Sequence, residues 1–333
     1  MSAAAGRPVE PPGFASIEDV IAFRDSMKID AGPVAEYPKM ARVEERVVLR
    51  ERDGIPLTAE IYVPKGEGPF PPLLYMHGGG WAAGSAIQFR KSAMRLAEAG
   101  YVVVNLDYSL APEHPFPCAL EDSIYACRWI AEYIGAYNGD PGNVLIAGSS
   151  AGANLAAATV VAFKDELLSS LDEGEFAGMP IDFAGALLIY GIYDLYLLSE
   201  EEPETWDGMI EWMFNAAYLG PHYLSQYRNP LVSPVCAAHL ERFPPTYISC
   251  GDEDLLVGQS LALAAALTRV RVPTTLSVVE GLSHAFVHIS HILPAAEAEV
   301  QRMCRWLEHR AGRAGGSQAP PNQMRDGPGR TGQ

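Results

Sequence analysis

Apolar residues in this chain come in short dense runs, separated by loops rich in Gly, Pro and charge. Val43–Arg50 (VEERVVLR) and Leu57–Val63 (LTAEIYV) alternate apolar with polar positions on either side of an Asp53-Gly54 turn signal, which predicts an antiparallel hairpin at a sheet edge. Leu73–Met76 and the continuous run Tyr101–Leu106 (YVVVNL) predict strands covered on both faces. Asn143–Ala147, Gly185–Tyr190 (GALLIY), Thr246–Cys250 (TYISC) and Thr275–Val279 (TLSVV) complete the series of buried strands. Between them, Leu120, Ile124, Cys127, Trp129, Ile130 and Ile134 recur at helical spacing and predict a helix over Ala119–Tyr137. Further helices are expected at Ser16–Ser26, Leu256–Arg269 and Ala295–Glu308. Strands alternating with helices after an opening hairpin predict an α/β fold, a mostly parallel sheet with helices on both faces.

The rhythm breaks in three places. Residues 1–42 read as a loose arm, and the main domain spans 43–310. Between about 195 and 230 an acidic loop (SEEEPET) and an aromatic helix, Trp206–Leu219, have no place in the sheet pattern and read as an inserted cap. Residues 311–333 are rich in Gly, Pro and Gln with almost no apolar content, and are expected to be disordered. There is no internal repeat.

Composition narrows the function. Of 333 residues, 48% are hydrophobic and 20% charged, which is globular. The net charge of −17 argues against nucleic acid or an anionic membrane as partner, since a polyphosphate needs a basic footprint. Cys118, Cys127, Cys236, Cys250 and Cys304 are odd in number and form no CxxC pair, so they read as free thiols of a reducing, cytoplasmic compartment. The first fifteen residues hold no apolar run long enough for a signal-peptide core. Val144–Phe163 is uncharged over twenty residues, but Gly148, Ser149, Ser150 and Gly152 divide it into a strand and a helix rather than a membrane span.

Chemistry gathers at four loops. Gly148-Ser149-Ser150-Ala151-Gly152 fits G-x-S-x-G on a strand-to-helix joint, where a sharp turn exposes the central hydroxyl and a helix N-terminus favours developing negative charge; spacing makes Ser150 the nucleophile. His77-Gly78-Gly79-Gly80-Trp81 presents backbone N–H groups free of side chains, as an oxyanion hole requires, with Ala151 N–H as a further donor. A phosphate loop would need a Lys that this one lacks. A serine nucleophile needs a histidine base, and His284 follows the last strand directly in GLSHAF. His288 and His291 fall on the next turn, without a carboxylate or Cys that would suggest a metal site, and His309 lies on the C-terminal helix. For the acid that orients the base, Asp254 in GDEDLL is best placed and Asp252 is the alternative; Asp254 could also serve as a helix cap. Trp81, Trp212, Phe214 and Tyr218 are candidates to line an apolar substrate pocket, or else to form the core of the cap.

HGGGW at 77–81, DYSLAPE at 107–113 with Pro115-Phe116-Pro117 behind it, GSSAG at 148–152, GDEDLL at 251–256 and GLSHAF at 281–286 together resemble the hormone-sensitive-lipase-like family of α/β-hydrolase esterases. The resemblance implies an eight-stranded sheet with a helical cap built from the N-terminal arm and the 195–230 insertion. It implies Ser150, Asp254 and His284 as triad and the N–H groups of Gly79, Gly80 and Ala151 as oxyanion hole, with Gly78 shaping the turn. It also implies Glu113 and Asp122 as buried polar anchors. The chain departs from the family's usual residues at Ser149, Ala153 and Ala285, where Asp or Thr, Gly, and Gly are common.

The expected function is hydrolysis of small, short-to-medium acyl esters without cofactor or metal, losing activity as acid protonates His284. A lactonase, amidase or peptidase would use the same residues, and an inactive ligand receptor would have lost the base. The expected partner is a small-molecule ester; the sequence does not specify an oligomeric state, although an exposed last strand could pair edge to edge into a homodimer.

Overall fold

The computed structural model describes residues 20–22, 24, 37–165, 167–171, 176–195, 216–220 and 223–314. All eight predicted strands form, each end within two residues of its expected place: β1 (Arg42–Arg52), β2 (Ile55–Val63), β3 (Pro72–Met76), β4 (Val102–Asp107), β5 (Val144–Ser149), β6 (Phe183–Ile189), β7 (Thr246–Gly251) and β8 (Thr274–Val279). They make one sheet in the order β1-β2-β4-β3-β5-β6-β7-β8. β1 and β2 pair antiparallel, as do β2 and β4, and every pair from β4 to β8 is parallel. The carboxyl ends of the parallel strands therefore share one rim, where an open α/β sheet places its ligand.

The described helices of eight residues or more are α1 (Arg90–Ala97), α2 (Cys118–Tyr133), α3 (Ala151–Lys164), α4 (Val257–Arg269) and α5 (Pro294–Ala314). Alternate residues of the central strands feed two cores. Leu74, Met76, Val104 and Ile146 pack beneath α2, α3 and α4. Leu73, Tyr75, Val103 and Leu145 face α1 and α5. Burial on both sides is why these strands read as unbroken apolar runs. The Val144–Phe163 stretch is β5 and most of α3, and no described helix is long and apolar enough to cross a membrane.

One helix and two boundaries differ from expectation. α1 has no counterpart in the sequence reading. The second helix leaves α geometry at Tyr133 and finishes as a 3₁₀ turn over Ile134–Tyr137. α5 continues through residue 310 to Ala314, so the first four residues of the expected tail are helical; residues 315–333 lie outside the described part. Of the expected arm helix, residues 20–22 and 24 are described and helical. Of the cap, residues 196–215 and 221–222, including Trp212 and Phe214, lie outside the described residues, and 216–219 are helical.

Candidate active site

Ser150 sits between the last residue of β5 and the first of α3 with φ +53° and ψ −121°. That left-handed conformation turns the chain sharply enough to lift the hydroxyl out of the sheet. Only a small residue fits on the inner side. A Cβ on Gly152 would stand 2.1 Å from the Met76 carbonyl oxygen and 2.4 Å from that of His77. The two glycines of the motif thus let α3 press against β5 and β3, and Ser150 N donates to Ile189 O at 2.9 Å.

The three sequence-predicted triad residues meet here. Ser150 Oγ lies 3.0 Å from His284 Nε2. His284 Nδ1 lies 3.0 Å from each Asp254 carboxylate oxygen, so Nδ1 carries the proton and Nε2 is free to accept one. The Asp254 side chain is fully buried while His284 is 28% exposed, leaving the ring reachable from the cleft. Asp254 also accepts Leu256 N at 2.8 Å, but α4 begins at Val257 with Leu256 as its N-cap and no side-chain cap bond, so of the two roles expected of Asp254 the orienting acid forms and the helix cap does not. Asp252 points elsewhere and accepts Gly281 N at 2.7 Å. With Asp252 N bonded to Val279 O and Glu253 N to Leu282 O, that contact laces the acid's loop to the base's loop. Ala285, directly after the base, adopts φ +63°.

The glycine loop passes beside the nucleophile. A Cβ on Gly78 would stand 3.2 Å from Ser150 Cβ, so the loop lies in contact with it. Gly79 and Gly80 take φ +124° and +58°. Neither gives its N–H to a backbone carbonyl among the described residues, and Ala151 N–H, at the first position of α3, likewise keeps its direction. Behind the loop, His77 is buried, stacked on Tyr108 at 4.3 Å, with Nδ1 donating to Gly78 O at 2.8 Å. Burial pulls its pKa down, so it braces the loop as a neutral ring.

One open alternative is resolved and one expectation changes. Trp81 and Tyr218 stack at 4.6 Å and 3° and have essentially no accessible surface, so they form packing between loop and cap rather than an open pocket wall. Glu113 is not a buried anchor: 41% exposed, it pairs with Arg24. Asp122 is one, pairing with Arg50 and accepting Ser109 N at 2.8 Å. His288 lies against Phe89 at 4.4 Å, and burial, with a smaller push from His284, lowers its pKa to about 4.

Two contributors escaped the sequence reading. Tyr190, the residue directly after β6, has φ +39° and sets its ring 4.8 Å from that of His284. Its backbone N donates to Ser249 O at 2.6 Å, tying it to the acid's strand. Ser149, one of the family departures, turns its hydroxyl to that of Tyr75 at 3.1 Å, and burial pushes the Tyr75 phenol up to about 12. The last residue of the expected strand Gly185–Tyr190 carries no motif, so Tyr190 gave only an apolar signal.

A doubly wound sheet with a serine at the β5–α3 elbow and an imidazole 3.0 Å away on the loop after β8 defines an α/β hydrolase. The sequence model of the alpha/beta hydrolase fold matches residues 73–288, and the chain belongs to that family, as its hormone-sensitive-lipase-like resemblance implies. Among curated relatives it is 28% identical over 297 residues to carboxylesterase NlhH of Mycobacterium tuberculosis, covering 86% of this chain and 88% of that one. It is 29% identical over 312 residues to esterase LipI of the same organism, covering 89% and 93%. Among solved structures, a hyperthermophilic esterase from Pyrobaculum calidifontis superposes with a TM-score of 0.76 at 28% identity, covering 90% of this chain and 94% of that one.

Proposed function

We propose that this protein is a serine carboxylic-ester hydrolase that cleaves small esters of short to medium acyl length through an acyl-enzyme. His284 Nε2 takes the Ser150 hydroxyl proton as Oγ bonds to the acyl carbon, and the carbonyl electron pair moves onto oxygen. The N–H groups of Gly79, Gly80 and Ala151 receive that oxyanion, where fixed donors need no reorganisation. The intermediate collapses, re-forming the carbonyl and breaking the bond to the alcohol oxygen, which takes the proton from His284. Water then gives its proton to Nε2 and its oxygen to the acyl carbon; Ser150 Oγ leaves with the proton, and the carboxylic acid departs. Asp254 holds the Nδ1 proton and offsets the imidazolium charge. The steps need no cofactor.

One observation carries the reading: the unbroken line from Ser150 Oγ through His284 to the buried Asp254, with 3.0 Å at each contact. The esterase names of the relatives support the ester bond as target. The close aromatic packing of Trp81, Tyr218 and Phe116 between glycine loop and cap supports an enclosed site suited to small substrates. The five free cysteines support a reducing cytoplasm. The partners on this reading are a small-molecule ester and a second copy of the chain.

A series of p-nitrophenyl esters from acetyl to palmitoyl, with a matched anilide, tests it. The expected result is a kcat/KM maximum between acetyl and octanoyl and a far slower anilide. A maximum at palmitoyl, or the anilide as the better substrate, would overturn the substrate class.

A further inference from the structure

The glycine loop's conformation is not self-sufficient. Gly79, Gly80 and Trp81 are consecutive residues in the left-handed region, with φ +124°, +58° and +59°. Inside the loop, Ala82 N and Ala83 N both donate to Gly79 O at 3.1 and 2.8 Å, and His77 Nδ1 donates to Gly78 O at 2.8 Å. The outer carbonyls are fixed from elsewhere. Trp81 O accepts Ala111 N at 2.9 Å. Ala82 O accepts Arg24 Nε, from a helical segment more than fifty positions upstream.

Arg24 uses its whole fork. Nη2 donates to Ala111 O at 2.6 Å, and Nη1 and Nη2 clasp the Glu113 carboxylate at 2.8 and 2.6 Å. One guanidinium therefore ties the glycine loop to the 111–113 segment, beside the Trp81–Ala111 bond that joins the same two pieces. Ala82 has no accessible surface, so in the intact protein Arg24 and not solvent satisfies its carbonyl. Val20, one helical turn before Arg24, is buried in the same core as Trp81 and Ala82 and fixes where the side chain starts. A lysine could not reproduce this, because a single ammonium lacks the planar spread of donors.

We propose that Arg24 is a positioning residue for the oxyanion-binding loop: by gripping the Ala82 and Ala111 carbonyls, it sets the aim of the Gly79 and Gly80 N–H groups beside Ser150. It acts through the loop and does not touch substrate. It follows that docking of this N-terminal segment and formation of a working oxyanion hole are one event. This inference rests on the hydrolase reading above.

An oxyanion hole binds the transition state and not the ground-state ester, so mis-aiming it lowers kcat while leaving KM. The test is steady-state hydrolysis of p-nitrophenyl butyrate by full-length wild type, Arg24→Ala, Arg24→Lys and Glu113→Gln, each checked for fold by circular dichroism. Arg24→Ala and Arg24→Lys are expected to lose about 10- to 100-fold in kcat with KM within about twofold. A trifluoromethyl ketone, whose adduct mimics the oxyanion, should lose affinity in step, while inhibition by butyrate stays unchanged. Glu113→Gln keeps both carbonyl contacts and is expected to stay within about threefold of wild type in kcat. If Arg24→Ala does not fold, Arg24→Lys decides. Variants that raise KM at unchanged kcat, or an Arg24→Lys equal to wild type, overturn the inference while the hydrolase reading stands. Wild type that turns over no ester overturns both.

Discussion

Ser150 and Ala285 stand on either side of one 3.0 Å contact, and both hold a backbone conformation that L residues rarely adopt, with φ +53° and +63°. For Ser150 the strain is inseparable from its position, because a relaxed residue would not raise its hydroxyl above the elbow. Ala285 has no such need: its methyl gains nothing from the left-handed region that a glycine would not. Ala285→Gly is accordingly expected to raise stability by a few tenths to about 1 kcal/mol, the relief of strain exceeding the added entropy of the unfolded chain. Urea denaturation measures this, and kcat/KM should change less than about twofold. A loss of stability would show that the methyl is packed to advantage. At this scale the sequence was highly legible. Gly152 and Ser150 were readable because a 2.1 Å approach to the Met76 carbonyl leaves no choice of residue. Tyr190 and Arg24 were not, since each acts through a contact whose partner lies at least 58 positions away or carries no pattern of its own.

Among the elements, strands were easier to read than the helices between them. Strands buried on both faces need uninterrupted apolar residues, and loops carrying Asp254 and His284 follow β7 and β8 within a few positions, so their chemistry was placed as soon as the strands were. α1 was missed because its buried face uses Ala93 and Ala97 beside Met94 and Leu96, and small residues barely register as a stripe. The parallel register of Leu73 with Val103 demands a crossover between β3 and β4, but that constraint appears only once the pairing is known. The turn over Phe286–Ile289, which follows the base, yields a second prediction through His288. Its pKa is lowered from 6.5 to about 4, so the folded protein holds the ring neutral where the unfolded chain would protonate it. Unfolding then takes up a proton on acidification, and the stability present above pH 6.5 is lost progressively as pH falls toward 4. The loss between pH 7 and 5 is expected to be on the order of 2 kcal/mol. His77, buried and neutral, acts in the same direction. Urea midpoints for wild type and His288→Gln across this range check it. A slope that survives the substitution undiminished would assign the acid sensitivity elsewhere.

Across the whole molecule, the sheet formed by the described residues closes at neither end. Among them β8 pairs only with β7 and leaves its outer edge open, while Leu276 and Val278 on it are 38% and 43% exposed. The strand has no Lys, Pro or bulge to discourage pairing. Antiparallel addition of a second copy across this edge is expected to give a two-fold dimer, seen by sedimentation as twice the chain mass. Leu276→Arg should shift it to monomer with kcat retained; wild type that sediments as a monomer at every concentration contradicts the prediction. Sheet, elbow and lacing of the two loops share one consequence, which is that the side chains of residues 150, 254 and 284 meet at the sheet's rim, where the proposed hydrolysis needs them to act as one unit. The measurement that addresses this most directly is hydrolysis of p-nitrophenyl butyrate by wild type and Ser150→Ala at equal concentration. Wild type is expected to turn over and the variant to lose at least about a thousandfold in kcat at unchanged fold, as removal of a serine nucleophile does. Comparable turnover by the two proteins would contradict the account at its centre.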